Sequence, residues 1–187
     1  MSPASGLRLY GKRLPRGHRL APALLRRADV VALDWDTRQK SRFDAVDQHG
    51  RRLAVVLTRG SVLRGGDVLV AEDGALLRVE AAPQPVMQVR LREGAPAFDL
   101  LRAAYHLGNR HVPLALAPDE LLFEPDPVLA EMLRGLGLAV DSAERPFEPE
   151  GGAYGDHGHG HEAHTHSHGG AAAGHAHGHD HGHPHAH

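Results

Sequence analysis

Cysteine is absent from this 187-residue chain. That excludes disulfides, thiolate metal sites, iron–sulfur clusters and cysteine nucleophiles together. Aromatic residues are scarce at 4%, so a core drawn from the 41% hydrophobic fraction must be aliphatic, built from Leu, Val and Ala. No apolar run approaches the roughly 18–20 residues that cross a bilayer. The opening MSPASGLRLYGKRL also lacks the apolar stretch of a signal peptide. A soluble, cytoplasmic protein without a membrane partner is the expectation. A dominant charge is missing as well: residues 1–150 hold 21 basic and 20 acidic side chains and stand at +1. Residues 151–187 hold three acidic ones and no Lys or Arg, and stand at −3 with His neutral. Such balance predicts no nucleic-acid partner.

What the chain has in excess is histidine, and its placement is uneven. Of 17 histidines, residues 1–150 hold His18, His49, His106 and His111, and the other thirteen crowd into residues 151–187. They alternate as His157, His159 and His161, then His164, His166 and His168. After a Gly-Gly-Ala-Ala-Ala-Gly spacer the alternation resumes as His175, His177, His179, His181, His183, His185 and His187. Neutral imidazole suits nickel, zinc, copper and cobalt, whereas calcium and magnesium prefer oxygen. Intervening Gly and Ala let the backbone wrap an ion, and no cation is present to repel it. The lack of a fixed helical spacing argues against one rigid catalytic site and for several interchangeable ones. Imidazole affinity does not choose among these metals, since copper outbids nickel and zinc. The segment is too poor in large apolar residues to offset its ordering entropy, so disorder is expected over 151–187.

The body reads as two domains. Val30 to Trp35, Leu53 to Leu57, Val68 to Val70 and Leu76 to Val79 are strand candidates. Between them lie turn signals at Asp47–Gly50, Arg64–Asp67 and Glu72–Gly74. Together these predict a small, mostly antiparallel β-domain over residues 1–80, with the two prolines of 81–85 forming a linker. Over residues 86–145 a strand at Val86–Leu91 precedes a helix with Pro96 at its first position. Two apolar rows follow, Phe98, Leu101 and Tyr105 beside Ala97, Leu100, Ala104 and Leu107. Gly108-Asn109 is the expected stop. Strands at Val112–Ala117 and Glu120–Phe123 come next. A second helix is then capped by Asp126, begun by Pro127 and stopped at Gly135 or Gly137, with Val128, Leu129, Met132, Leu133 and Leu136 inward. Leu138–Val140 is the last strand. The order β-α-β-β-α-β is the ferredoxin-like pattern, and the fold class is α+β.

Among the body histidines, His18 in an Arg-rich stretch and His49 in a turn read as solvated polar residues, and His106 as a structural helix residue. His111 sits in a surface-prone loop after the helix stop. Taken alone it is a weak ligand candidate.

Three segments together carry a resemblance to a known family. Ala104-Tyr105-His106-Leu107-Gly108-Asn109-Arg110-His111-Val112-Pro113-Leu114 is similar to the signature of the urease accessory nickel metallochaperones, the UreE family. So is Arg145-Pro146-Phe147-Glu148-Pro149-Glu150-Gly151-Gly152-Ala153-Tyr154-Gly155 running into a histidine-rich tail. Leu57-Thr58-Arg59-Gly60-Ser61-Val62-Leu63-Arg64-Gly65-Gly66-Asp67 resembles the family's N-terminal domain. The resemblance implies a partner-binding N-terminal domain and a metal-binding ferredoxin-like domain. It also implies a homodimer, or a higher oligomer with metal, in which His111 meets its symmetry mate and binds nickel. A two-fold axis supplies two imidazoles from one position. Some relatives carry further histidines a little downstream; here the stretch is Glu124-Pro125-Asp126-Pro127, which offers only carboxylate oxygen.

The implied function is delivery of Ni(II) to apo-urease together with the urease accessory GTPase, with Zn(II), Cu(II) or Co(II) as competitors. The alternative is a metal buffer or store, for which the tail suffices. A metal-dependent hydrolase would need a general base beside an ordered ion, and the chain has neither that pattern nor a phosphate-binding Gly-Lys-Ser/Thr loop. Any GTP hydrolysis is therefore expected from a partner, and the chain is expected not to be an enzyme.

Overall fold

The alternation at Leu53 and Val55 turns one strand face inward. The computed structural model, which describes residues 7–151, places both in the core of a six-stranded sheet. Its strands are β1 (Arg8–Leu14), β2 (Asp29–Leu33), β3 (Arg42–Val46), β4 (Arg52–Val56), β5 (Val68–Ala71) and β6 (Leu76–Ala81). In space they lie β2-β6-β5-β1-β4-β3. Short helices α1 (Pro22–Arg27) and α2 (Trp35–Arg38) flank β2 in sequence. The core is aliphatic around Tyr10, with Val31, Leu53, Val55, Leu63, Leu69, Leu77 and Val79 all at most 2% exposed. Turn glycines Gly50, Gly66 and Gly74 take φ of +76°, +87° and +81°, the region that only glycine enters without strain.

Three of the five pairings in this sheet are antiparallel, as expected, and two are parallel, β1 with β4 and β2 with β6. Each parallel pair is separated by a connection long enough to cross over, which parallel pairing requires. β1 is not legible as a strand in the sequence, because Arg-Leu-Tyr-Gly-Lys-Arg-Leu buries only Tyr10 and shows no alternation. Trp35 does not end a strand; it begins α2, where Asp34 Oδ1 accepts from the Thr37 N–H at 2.8 Å as a cap.

The second sheet holds β7 (Pro83–Arg90), β8 (Ala115–Leu116), β9 (Glu120–Phe123) and β10 (Ala139–Pro146), with helix α3 (Phe98–Gly108) between β7 and β8 and α4 (Pro127–Gly135) between β9 and β10. All its neighbours are antiparallel, in the order β10-β7-β9-β8. Leu100, Ala103 and Leu107 of α3 and Ala130 and Leu133 of α4 share one core with Met87, Val89, Leu121, Phe123 and Val140.

Here too the details differ from expectation. Residues 81–85 are not a linker: β6 ends at Ala81, β7 begins at Pro83, and Pro83 and Pro85 lie opposite Pro146 and Glu144. β9 pairs β7 only over Met87–Arg90. The two prolines therefore lie where β7 has a ladder on one side alone, and a missing N–H is tolerated there. Pro96 lies outside α3, which starts two residues later. Phe98, Leu101 and Tyr105 do not face the core; they are 61%, 64% and 66% exposed. Val128 is likewise exposed on α4, and Ala130 takes the inward place. β8 keeps only two of the six residues expected, whereas β10 continues well past Val140.

Residues 147–150 form a strap across both sheets. Phe147 is fully buried and meets the Trp35 ring edge-to-face, centroids 6.3 Å apart. Val86 and Leu122 complete that cluster. Beside it lies Arg38, fully buried, which donates to the carbonyls of Leu33, Leu63 and Phe147 and at 2.5 Å to Glu148 Oε1. Burial pushes the Arg38 guanidinium below its ordinary pKa, and the Glu148 carboxylate opposes that shift. Glu148 Oε1 also accepts from the Gly65 N–H at 3.0 Å, and Arg64 donates to the Pro149 carbonyl at 2.5 Å.

Candidate metal centre

His111 is exposed and sits at φ +57°. The surrounding hydrogen bonds explain how it is held there. The Val112 N–H donates to the Leu107 carbonyl at 3.2 Å and the His111 N–H to the Gly108 carbonyl at 2.9 Å. These are the six-to-one and five-to-two bonds of a Schellman motif, with His111 at the left-handed position just past the helix. Val112 and Leu107 belong to the same core cluster, which supplies the hydrophobic contact that usually accompanies the motif. The left-handed residue is thus His111, rather than Gly108 or Asn109 of the expected stop.

The other helix of this domain ends in the same way. The Leu138 N–H donates to Leu133 and the Gly137 N–H to Arg134, at 3.2 and 3.0 Å, and Gly137 has φ +90°. One domain therefore contains two copies of one cap. In α4 the left-handed position is glycine, at no steric cost. In α3 it is histidine, where a Cβ costs roughly 1–2 kcal/mol. His111 makes no side-chain hydrogen bond or ion pair among the described residues that would offset this. Backbone strain of this kind persists where the side chain is wanted for another purpose.

The remaining candidates separate clearly. His106 is half-buried on α3 with its ring 5.6 Å from that of Tyr105, and its carbonyl accepts from Arg110 at 2.8 Å. His49 is an exposed turn residue 3.3 Å from Asp29, and His18 is exposed. Asp126 is engaged as a cap, its Oδ1 accepting from Val128 at 2.9 Å and Leu129 at 3.0 Å, while Glu124 is exposed. No three His, Asp or Glu side chains converge among the described residues. His157 and the twelve histidines after it, with the disorder expected there, lie outside the described residues.

Sequence reasoning missed the strap. Phe147 and Glu148 were visible as a motif, but nothing marked Arg38 as their buried partner. The isolated Trp35-Asp-Thr-Arg38 turn, with the only Trp of the chain, was the available signal.

These features describe a two-domain protein of mixed α/β architecture that presents an imidazole from a strained helix cap. Residues 11–82 match the N-terminal domain of the UreE urease accessory protein, and residues 84–187 match its C-terminal domain. A protein named Urease accessory protein UreE from Methylibium petroleiphilum is 68% identical over 146 residues, covering 78% of this chain and 67% of that one. Its namesake from Albidiferax ferrireducens is 61% identical over 148 residues, covering 79% and 85%. That of Paracidovorax citrulli is 63% identical over 145 residues, covering 76% and 69%. The chain belongs to the UreE urease accessory protein family. Members are accessory proteins of urease maturation, not enzymes. No helix among the described residues is long and apolar enough to cross a membrane.

Proposed function

We propose that this chain is a cytoplasmic nickel metallochaperone. It binds Ni(II) and donates it to apo-urease during metallocentre assembly, acting with the urease accessory GTPase. The observation that carries this reading is His111, an exposed imidazole kept at a cap position where the same domain elsewhere uses Gly137. The strand order and the order of elements suit the ferredoxin-like class, and this domain is the metal-binding one. The N-terminal sheet is the partner-binding domain.

One imidazole holds a divalent ion poorly, so the site is completed by a second copy of the chain. Phe98, Leu101 and Tyr105 form an exposed apolar stripe along α3, the helix that His111 follows. Such a stripe marks an interaction surface. Packing it against its symmetry mate in a homodimer brings the two His111 residues to one axis. The tail histidines from His157 to His187 collect the ion, with Zn(II), Cu(II) and Co(II) competing there, and the paired site hands it on.

The thirteen tail histidines also suit the second reading, a buffer or store without delivery. Urease activation with purified components at limiting nickel separates the two. For a chaperone, His111→Ala lowers activation more than removal of residues 152–187 does. Activation that tracks only the number of tail histidines supports the buffer.

A further inference from the structure

We propose that the N-terminal domain carries a binding site for a small-molecule polyanion, in the cavity lined by Arg16, Arg26 and Arg78. This cavity, an open depression of about 520 Å³, is also lined by Leu25, Gly65 and Gly66. That volume lies in the range of small-ligand sites, roughly 300–1,000 Å³, and its lining combines one apolar side chain with three cations. The near-neutral total charge conceals the segregation behind it. Seven Lys or Arg precede Asp29, the first acidic residue of the chain.

The three arginines differ in their engagement. Neither Arg16 nor Arg26 has a side-chain hydrogen bond or ion pair among the described residues. Arg78 pairs through Nη2 with Glu80 at 2.9 Å, while its Nε is buried without a hydrogen-bond partner. Among the described residues no carboxylate lines the cavity; Glu148 Oε1 comes within 3.0 Å of the Gly65 N–H and is held by Arg38. The nearby Asp67 is already spent: it pairs with Arg13 and accepts the N–H groups of Arg16 and Arg64. Planar guanidinium forks match phosphate and carboxylate oxygens in a bidentate manner, so three of them suit a group bearing at least two negative charges.

The backbone gives independent support. Arg16 sits at φ +45°, held by its N–H bond of 2.9 Å to Asp67 Oδ1. A non-glycine residue in that region carries strain, and here the strained residue lines the cavity. The next residue, Gly17, is at φ +61°, and a Cβ there would stand 2.4 Å from Leu25 Cδ2. Glycine at 17 thus lets the Arg16 hook close directly on the leucine that forms the apolar wall.

The test is calorimetric titration of the metal-free full-length chain at pH 8, where the tail imidazoles are neutral, with pyrophosphate and separately with citrate. It contains no nickel, so its outcome is independent of the chaperone reading. Saturable binding of one anion per chain is expected. Arg26→Ala should weaken it about tenfold, the loss of one charge-assisted contact. Arg26→Lys should restore it only in part. Arg27→Ala, which removes a neighbouring charge that does not line the cavity, should leave it within about twofold. Tighter binding of pyrophosphate assigns the site to a phosphate, and tighter binding of citrate to a polycarboxylate. Equal losses in Arg26→Ala and Arg27→Ala, or no saturable binding of either anion, would overturn the proposal.

Discussion

A glycine at position 111 adopts φ +57° without the Cβ crowding that His111 bears, so His111→Gly tests whether the histidine is kept against the interest of the fold. Relief of the left-handed conformation contributes roughly 1–2 kcal/mol. The greater freedom of glycine in the unfolded chain takes back about 0.4–1 kcal/mol. His111 is exposed and makes no side-chain bond among the described residues, so little else changes. The net expectation is a gain of about 0.5–1 kcal/mol, or a Tm higher by about 1–4 °C. His111→Ala keeps the Cβ and should stay within about 0.5 kcal/mol of the parent. Gly137→Ala is the reciprocal control. A Cβ there meets nothing within 4 Å, yet φ is +90°, so the left-handed cost of about 1–2 kcal/mol, less the roughly 0.4–1 kcal/mol regained by restricting the unfolded chain, leaves a net loss of about 0.5–1 kcal/mol. Urea denaturation of metal-free protein ending at Gly151, at one fixed protein concentration, reads all three. A destabilised His111→Gly, or a neutral Gly137→Ala, would refute the strained-cap argument.

Three further outcomes follow from particular contacts. A chain ending at Gly151 should fold like the parent, whereas one ending at Pro146 loses the buried Phe147 ring and leaves Arg38 without Glu148. That loss should exceed about 3 kcal/mol in a denaturation curve, and equal stability of the two would contradict the role given to the strap. Asp126→Ala should cost about 1 kcal/mol as a lost helix cap and leave nickel binding unchanged; weakened nickel binding would make Asp126 a ligand instead. The Gln88 amide, and after it the Arg145 guanidinium, hold the Glu120 carboxyl below the usual range. Because the folded pKa is depressed, this stabilisation is present above about pH 4.3 and is lost as the pH falls further. Glu120→Gln should therefore flatten the acid limb of stability against pH, and an unchanged limb would count against it.

Legibility in the sequence followed how local each cause was. Asp126-Pro127 gives a cap and a first turn within four residues, and α4 begins where those residues place it. Gly50, Gly66 and Gly74 likewise announce their turns. The alternation at Leu53 and Val55 identifies β4 because one face is buried and the other solvated. β1 was illegible because its pairing with β4 and β5, and not its own side chains, makes it a strand. Prolines in β7 read as a linker because their tolerance depends on which neighbour is absent along that edge. Arg38 is the clearest case: its burial is made possible by Glu148 and Phe147, more than a hundred residues away. At the candidate site, His111 was found through the resemblance, while its backbone strain emerged only from the hydrogen bonds around it. The outward turn of Phe98, Leu101 and Tyr105 could not be read from periodicity, since two adjacent apolar rows look alike until one is covered.

The central claim is that the folded body, apart from the tail, holds nickel between two copies of His111. Equilibrium nickel titration of the chain ending at Gly151, with molecular mass measured on the same sample, tests it most directly. The account expects one tightly held ion per two chains, lost entirely in His111→Ala while the dimer mass persists. One tight ion per single chain, or tight binding that survives without His111, would contradict it.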